Sequence, residues 1–496
     1  MLIGGWMAGL LIVSPAMAQN EDAALTQRLE RQLRQTEMQY SLKVNPELSV
    51  TERAMIDFGA LTSFGFLMVD DSDQRTRVLR QYDLQTYGYV NVDGVHEFFG
   101  RARFTYRDFA PGDSFEGNGD HWVHPFYDRL WYRFDLRRAI EAYEGRYSPN
   151  NLRFQIGRQY LEWASGLTLA EQLYAAVLDI EVGNLFDFKL MAGTTPESSV
   201  VDFDSTRPSF DGETNRMFLG AEVTITKFDN HRPYFFVLSQ QDNNEEDQST
   251  LVFSFVPGFP TPIPTRYDYN SIYWGVGSSG NILPKLRYEV EGVYQTGRGL
   301  SNSYDPVTLN VPPPVGTFVQ TYEDIEAWAV RGQLSYHLLD ENLTKFELEA
   351  LAASGDDDRA LDTSNTFGGN TSGTNDNAFN AFGFVNTGLA FAPPVSNLTM
   401  MRFGASTFPL RDSNWTRRLQ IGFDAFIYGK TDVDAPIDEA TSNEWLLGGE
   451  VDVYANWRLA SDLVLFARYG IFIPGESINA DKDERHFFYT GVTYSF

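Results

Sequence analysis

The chain has no cysteine among its 496 residues, which excludes a disulfide framework, a thiolate zinc site, an iron–sulfur cluster and a cysteine nucleophile. It also lacks a basic excess. Its 39 Lys and Arg face 67 Asp and Glu, a net charge of −28, so nucleic-acid binding driven by phosphate neutralisation is excluded. Histidine is scarce: the residues at 96, 121, 124, 231, 337 and 486 show no metal-ligand spacing stronger than His121-x-x-His124. After the first twenty residues no apolar run approaches the ~20 residues of a membrane-spanning helix. Aromatics, by contrast, are abundant: 38 Phe, 25 Tyr and 9 Trp make up 15% of the chain, a burying capacity that a disordered chain does not have.

The opening residues hold an apolar stretch through Leu10, Leu11, Ile12 and Val13, then Ser14-Pro15 and the small-residue pattern Ala16-Met17-Ala18. This reads as a secretory signal, residues 1–18, cut after Ala18; the competing reading is a membrane anchor. Residues 19–54 read as a periplasmic segment. In it Leu25, Leu29 and Leu33 recur at four-residue spacing, the stripe of a short amphipathic helix that Asn45-Pro46 ends.

From about residue 55 the period changes to two. Over 95–108, Phe98, Gly100, Ala102, Phe104 and Tyr106 share one parity, and Glu97, Phe99, Arg101, Arg103, Thr105 and Arg107 the other. The alternation returns at 126–137 and at many later segments, over lengths that match the ~9–11 residues of a tilted strand crossing a bilayer. Short turns such as Val92-Asp93-Gly94 and Asp229-Asn230-His231 alternate with long polar loops at 108–125, 195–215, 242–266, 299–322, 355–396, 430–443 and 474–484. Candidate strands from 55–69 to 485–496, among them 95–107, 126–137, 152–160 and 173–182, number eighteen. The fold class expected is therefore all-β: a transmembrane antiparallel barrel over 55–496, helix-free in that range, with short periplasmic turns and long extracellular loops. The loop 355–396, rich in Gly, Asn, Thr and Asp, is expected to restrict the pore rather than build a core. Trp122, Trp131, Trp328, Trp415, Trp445 and Trp457 suit interfacial girdles. The final strand ends on Phe496, resembling the assembly signal of outer-membrane barrels.

One segment resembles a known family. Asn151 to Gly166, NLRFQIGRQYLEWASG, is similar to the Ile/Val-Gly-Arg-Gln strand of the alginate export family, through Gly157, Arg158 and Gln159. Tyr127–Leu136 and the Ala353-Ser354-Gly355-Asp356-Asp357-Asp358 run add to the resemblance, which spans 50–496. It implies an eighteen-stranded outer-membrane barrel that exports an acidic polysaccharide through a basic constriction.

The parity of the strands says independently what faces the lumen. Arg101, Arg103, Arg107, Arg129, Arg133, Arg137 and Arg153 turn inward on three successive strands, beside Glu97 and Asp135. Strict parity turns Arg158 outward, and it joins the pore lining only if a bulge near Gly157 re-aims it. Asp179, Glu181 and Asp187 follow, then Glu289, Glu291, Glu347, Glu349, Glu450 and Asp452, so the expected lumen is charge-segregated. Two readings of the arginines stand side by side. They dock a uronate chain through paired hydrogen bonds, or they bond neighbouring acids and stiffen the wall.

No catalytic constellation emerges, and no cofactor is expected apart from a candidate calcium ion in the loop carrying Asp356-Asp357-Asp358 and Asn375-Asp376-Asn377. The sequence reading is a bacterial outer-membrane channel, not an enzyme. Its expected partners are an anionic polysaccharide, outer-membrane lipid and periplasmic export or scaffold proteins, with no nucleic acid. A general porin for small anionic or sugar solutes is the alternative, and a barrel-embedded lipid or polysaccharide enzyme the third reading.

Overall fold

A computed structural model describes residues 44–496 apart from 46, 73–74, 115–118, 197–199, 209, 213, 245–247, 257–258, 304–319, 360 and 480–482. The signal segment and the Leu25–Leu33 stripe lie outside the described residues. Eighteen antiparallel strands form one closed barrel. The first nine are β1 (Ala54–Asp70), β2 (Thr76–Val92), β3 (His96–Phe109), β4 (Tyr127–Asp135), β5 (Asn151–Trp163), β6 (Leu169–Val182), β7 (Phe186–Thr194), β8 (Arg216–Ile225) and β9 (His231–Asp242). The second nine are β10 (Tyr269–Leu283), β11 (Leu286–Leu300), β12 (Tyr322–His337), β13 (Lys345–Ala353), β14 (Leu398–Thr407), β15 (Leu419–Lys430), β16 (Leu446–Arg458), β17 (Leu463–Pro474) and β18 (Arg485–Ser495). Each pairs with its neighbours in sequence, and β1 pairs with β18 from Leu61↔Ser495 to Val69↔Phe487, which closes the ring.

The two ends of the barrel sequence share one rim with connections that are short apart from 136–150 and 408–418, while the longest connections, 195–215, 243–268, 301–321 and 354–397, lie on the other rim together with the short 71–75 and 164–168. Outward positions carry exposed Phe58, Leu130, Val276 and Ile473, the apolar band that a hydrocarbon surround requires. Inward positions are polar or packed. Trp131 is among the latter: it is 4% exposed and stacked on Phe99 at 5.5 Å, so it lines the interior, whereas Trp122, Trp328, Trp415 and Trp445 are exposed.

Three details depart from the sequence reading. The strand expected over 126–137 stops at Asp135, because the Asp135 carboxylate accepts the Arg138 backbone N–H at 3.0 Å and caps a short helix, Leu136–Ala139, continued by a π turn, Ile140–Glu144. Helix is thus present inside the range expected to be free of it, and Arg137 leaves the strand to pair with Glu181 at 2.7 Å. The loop at 242–266 contains a hairpin of its own, Gln248–Val256 with Phe259–Arg266. A three-residue strand, His121–Val123, extends the β3 pairing above β4.

Gly157 has φ +132°, and a Cβ there would strike the Leu130 carbonyl of β4. Only glycine tolerates that approach. Gly157→Ala should therefore cost about 1–3 kcal/mol, read as a lower temperature for loss of the SDS-resistant folded form on gels. Gly88→Ala, where a Cβ meets nothing within 4 Å, should leave that temperature unchanged.

Candidate functional site: a lumen of paired charges and an inward loop

The inward arginines are built by alternation on β3, β4 and β5, and acids on these strands and on β2 and β6 meet them. Arg101 grips Asp128 with both arms of its guanidinium, the Nε contact at 2.9 Å. Asp128 is free to do so because the β3–β4 register shifts beside Arg101 and adds a residue on the β4 side. Arg133 holds Glu97 in the same bidentate way, its Nε 2.9 Å from Oε1, and its guanidinium lies 5.2 Å over the Trp131 ring. Arg103 reaches Asp83 at 3.1 Å and Thr105 at 2.9 Å. Arg153 stands among Asp135, Asp179 and Glu181 at 3.5, 3.8 and 3.5 Å. Arg129 is buried, with its guanidinium 5.9 Å over Tyr160. Arg107 stands in register with Gln81 and His121, and Asp187 with Glu181 across β6 and β7.

Arg158 does not join this group. The pairing through Gly157 is unbroken, and Arg158 stands level with exposed Leu130 and Tyr174 on the outward parity. Its guanidinium lies over the rings of Tyr127 and Tyr174, at 5.2 and 5.6 Å, while those two hydroxyls meet at 3.2 Å. Arg158 is itself 2% exposed, so its guanidinium is buried against those two tyrosines.

Charge is not segregated across the lumen as expected. On the far arc Arg331 bonds Glu349 at 2.6 Å, Arg402 bonds Glu349 at 2.6 Å and Asp424 at 3.0 Å, and Lys345 bonds Glu347 at 2.6 Å. The wall is a mosaic of cross-strand ion pairs. A further cluster, invisible to parity, ties the 195–215 connection down: Arg207 spans Asp202 and Asp242, both at 2.9 Å, and Arg216 bonds Asp202 at 2.7 Å. These two guanidinium groups hold the buried Asp202 carboxyl down at about 2 against the opposing effect of burial.

The connection between β13 and β14, residues 354–397, folds into the lumen. Its hydrogen bonds run to the arc from β6 round to β16. Phe382 bridges Leu169, with Ala170 N–H donating to the Phe382 carbonyl at 2.8 Å. Tyr273 donates to the Asn380 carbonyl at 2.6 Å, and Asn380 N–H to Gln295 at 3.1 Å. On the opposite side one carboxylate, Glu450, accepts the consecutive backbone N–H groups of Leu389, Ala390 and Phe391, the last two at 2.7 and 2.9 Å. Phe391 stacks on Phe472 of β17 at 4.2 Å. Although the loop is polar at its ends, Phe379, Phe382, Val385, Leu389 and Phe391 are buried with Leu169, Phe218, Phe236 and Phe472 in one apolar cluster. The expectation that this loop builds no core is corrected by its 378–392 stretch. Sequence parity identified Glu450 as lumenal, beside Asp452 on the same strand face; nothing in that strand's own pattern marked it as the anchor of a distant loop.

Asp356, Asp357 and Asp358 bring three carboxylates within 4.8 Å of one another. The Asp356 carboxylate also lies 3.6 Å from Arg359 Nε, and Arg359 in turn binds Asp376. The ring nitrogens of His96, His231 and His486 meet tyrosine hydroxyls at 2.8, 3.0 and 2.8 Å, and His121 the Gly119 carbonyl at 2.9 Å.

A closed barrel with ion-paired walls and an inward loop defines an outer-membrane channel. The alginate export family model matches residues 74–490, and the chain belongs to that family, in the bacterial outer membrane. No curated protein matches the sequence. Among solved structures, OccK8 (OprE) of Pseudomonas aeruginosa superposes with a TM-score of 0.51 at 10% identity, covering 89% of this chain and 98% of that one. OccK5 (OpdH) of the same organism gives 0.49 at 11% identity over 89% and 98%. OccAB2 of Acinetobacter baumannii gives 0.48 at 12% over 91% and 99%. At these identities the likeness is one of fold.

Deleting residues 378–392 should raise single-channel conductance in planar bilayers; unchanged conductance would show that the stretch is not in the conduction path. The loop should also respond to pH. Burial raises the Asp356 carboxyl to about 7, against the opposing pull of Arg359 and with help from Asp376 and Asp358, and burial beside Asp438 holds Asp362 well above the usual range. Both native carboxyls therefore bind protons that the unfolded loop releases, so loop stability rises as pH falls from about 7 toward 4. Conductance should be lower at pH 5 than at pH 8, and Asp356→Asn should reduce that difference.

Proposed function

We propose that this channel passes an acidic polysaccharide, a polyuronate, along the arc formed by β3, β4 and β5, with the 354–397 loop as its gate. The observation that carries the reading is the contrast in exposure along the arginine ladder. The Arg133 side chain is 6% exposed and sealed against Glu97, whereas Arg103 and Arg153 keep 16% and 31% of their side chains open. Guanidinium groups bind carboxylates through paired hydrogen bonds. An acid beside each one competes for it and keeps the polymer's hold weak enough to slide. Because screening acts over ~8 Å at physiological salt, such contacts matter only where the loop narrows the path. On this reading Arg101 and Arg133 are wall staples, Arg103 and Arg153 the contact points, lipid covers the apolar exterior, and periplasmic export or scaffold proteins deliver the polymer. The chain performs no covalent chemistry on it.

The alternative, a porin for small anionic or sugar solutes, draws on a different observation: the loop is anchored on both sides of the lumen, by Phe382 and by Glu450, which narrows the room for a polymer.

In bilayers under a KCl gradient, the protein should prefer anions despite its net charge of −28. The double variant Arg103→Gln, Arg153→Gln should lose most of that preference and most of its block by oligouronates, with a smaller loss of heat stability than Arg133→Gln because Asp83 keeps Gln81 and Thr105 as donors. Arg133→Gln, which strands a buried Glu97, should instead cost about 3–5 kcal/mol of stability. If the double variant keeps both selectivity and block, the polyuronate reading falls and the small-solute porin replaces it.

A further inference from the structure

On the outside of the barrel, along the arc from β13 to β18, the surface is hollowed by a groove of about 630 Å³. Its shape follows from residue size along two adjoining rows of outward positions. Ala405 stands in register between the bulky, exposed Phe346 and Phe423, and Ala455 between Ile421 and Ala467. Tyr469 and Phe488, paired on β17 and β18, bound the far side. Alanine beside aromatic neighbours leaves a hollow where an even row of large side chains would leave none. At ~30 Å³ per water, and with a methylene of similar bulk, the groove has room for about twenty such groups, the scale of one acyl chain.

The groove reaches the rim that carries the two ends of the barrel sequence, the periplasmic one. Thr344 and Thr407 line it there, their hydroxyls 3.1 Å apart where the connections 338–344 and 408–418 meet the strands. The second connection carries Arg411, Arg417 and Arg418 against a single acid, Asp412, a local positive excess in a chain of net charge −28. All three arginines are exposed. Arg411 donates to the Glu341 carbonyl, and no ion pair to Arg417 or Arg418 is found among the described residues. Of the acids on the neighbouring turn, Asp340 is bonded to Thr344 at 2.7 Å and Glu341 is exposed. The same connection is held to the outer face of the barrel. Trp457 follows Ala455 on the outward parity of β16, and its indole N–H donates to the Trp415 carbonyl at 2.9 Å. Trp415 itself is exposed, as suits a side chain at a membrane interface.

We propose that the groove and the 408–418 connection together form a site for one anionic glycerophospholipid, an acyl chain in the hollow and the phosphate at the arginines of the connection. Guanidinium groups bind phosphate oxygens through paired hydrogen bonds, and a basic cluster at the edge of a membrane favours anionic headgroups over zwitterionic ones. Charge complementarity selects this occupant over a second copy of the chain. A two-fold contact through the groove would set one arginine cluster against the other, whereas a lipid phosphate neutralises it. The site lies on the outer face, so it goes beyond the transport reading and does not depend on what passes through the lumen.

The test uses the full-length protein in mild detergent, with native mass spectrometry reading the retention of phosphatidylglycerol and phosphatidylcholine of identical acyl chains. One phosphatidylglycerol should stay bound per barrel, about tenfold more tightly than phosphatidylcholine. The double variant Arg417→Gln, Arg418→Gln should bring the two lipids to within about threefold of each other. Ala455→Phe, which fills the hollow, should weaken both lipids by about tenfold. Val276→Phe, at an exposed outward position on β10, should weaken neither. Gel mobility of the unheated protein confirms that each variant is folded, and should Ala455→Phe fail to fold, the lipid ratios of the unaltered chain and of the arginine variant still decide. The proposal is overturned if the unaltered protein holds the two lipids equally, if the arginine variant keeps the full preference, or if Ala455→Phe leaves retention unchanged. It is also overturned if the retained mass is a second copy of the chain that Ala455→Phe releases, which would make the groove a contact between barrels.

Discussion

In a hydrocarbon surround an unpaired backbone N–H or C=O has no water to turn to, and every such group must find its partner within the protein. A sheet meets that demand only by closing. The β1–β18 pairing, from Leu61↔Ser495 to Val69↔Phe487, is the step on which the rest depends, because it abolishes both edges and gives every strand one lipid face and one lumenal face. From then on each residue's surroundings follow from its parity. Leu130 and Arg129 are neighbours in sequence, yet one is exposed to the outside and the other buried within.

Closure creates a second problem, an interior too wide for side chains alone to fill. The chain meets it in two ways. Around the wall, arginines and acids on adjacent strands bond across the ladder, as Arg133 does to Glu97 and Arg402 to Glu349 and Asp424. Such pairs are costly to break singly, because the survivor is left buried and unpaired. Across the middle, the 354–397 connection brings in its own apolar residues and is clamped at both sides. The three backbone donors on Glu450 are satisfied by a single carboxylate, so a length of irregular backbone is stable inside the barrel without forming a strand.

These two devices have opposite consequences for transport. A paired wall presents little net field, so recognition falls to the few groups left partly open. The inward loop replaces a wide aqueous bore with a narrower path and leaves a cavity beside Phe382 and Ser396. On the proposed reading, selectivity and gating are carried by different parts of the chain, one on regular strands and one on irregular backbone.

The barrel was legible from residue order because a period of two is a local property: alternation along 95–107, long stretches, and short turns against long loops already demanded a closed membrane sheet of eighteen strands. Lumenal parity was legible for the same reason, and it placed Arg101, Arg103, Arg133 and Arg153 on one wall. Arg158 keeps the register that its parity gives it, level with Leu130. What could not be read was who meets whom. Whether Arg133 is a free cation or half of a pair depends on Glu97, 36 residues away in sequence, and on a register that a bulge beside Arg101 alters by one residue. The helix at 136–144 turned on one cap by Asp135, and the fate of the 354–397 loop on a distant Glu450. Sequence by itself therefore determined the barrel and the alternation along its strands, since those follow from backbone periodicity. Tertiary structure alone decided which charges are neutralised, where the loop lies and what cavity it leaves, because ion pairing and packing depend on distances that local sequence does not encode.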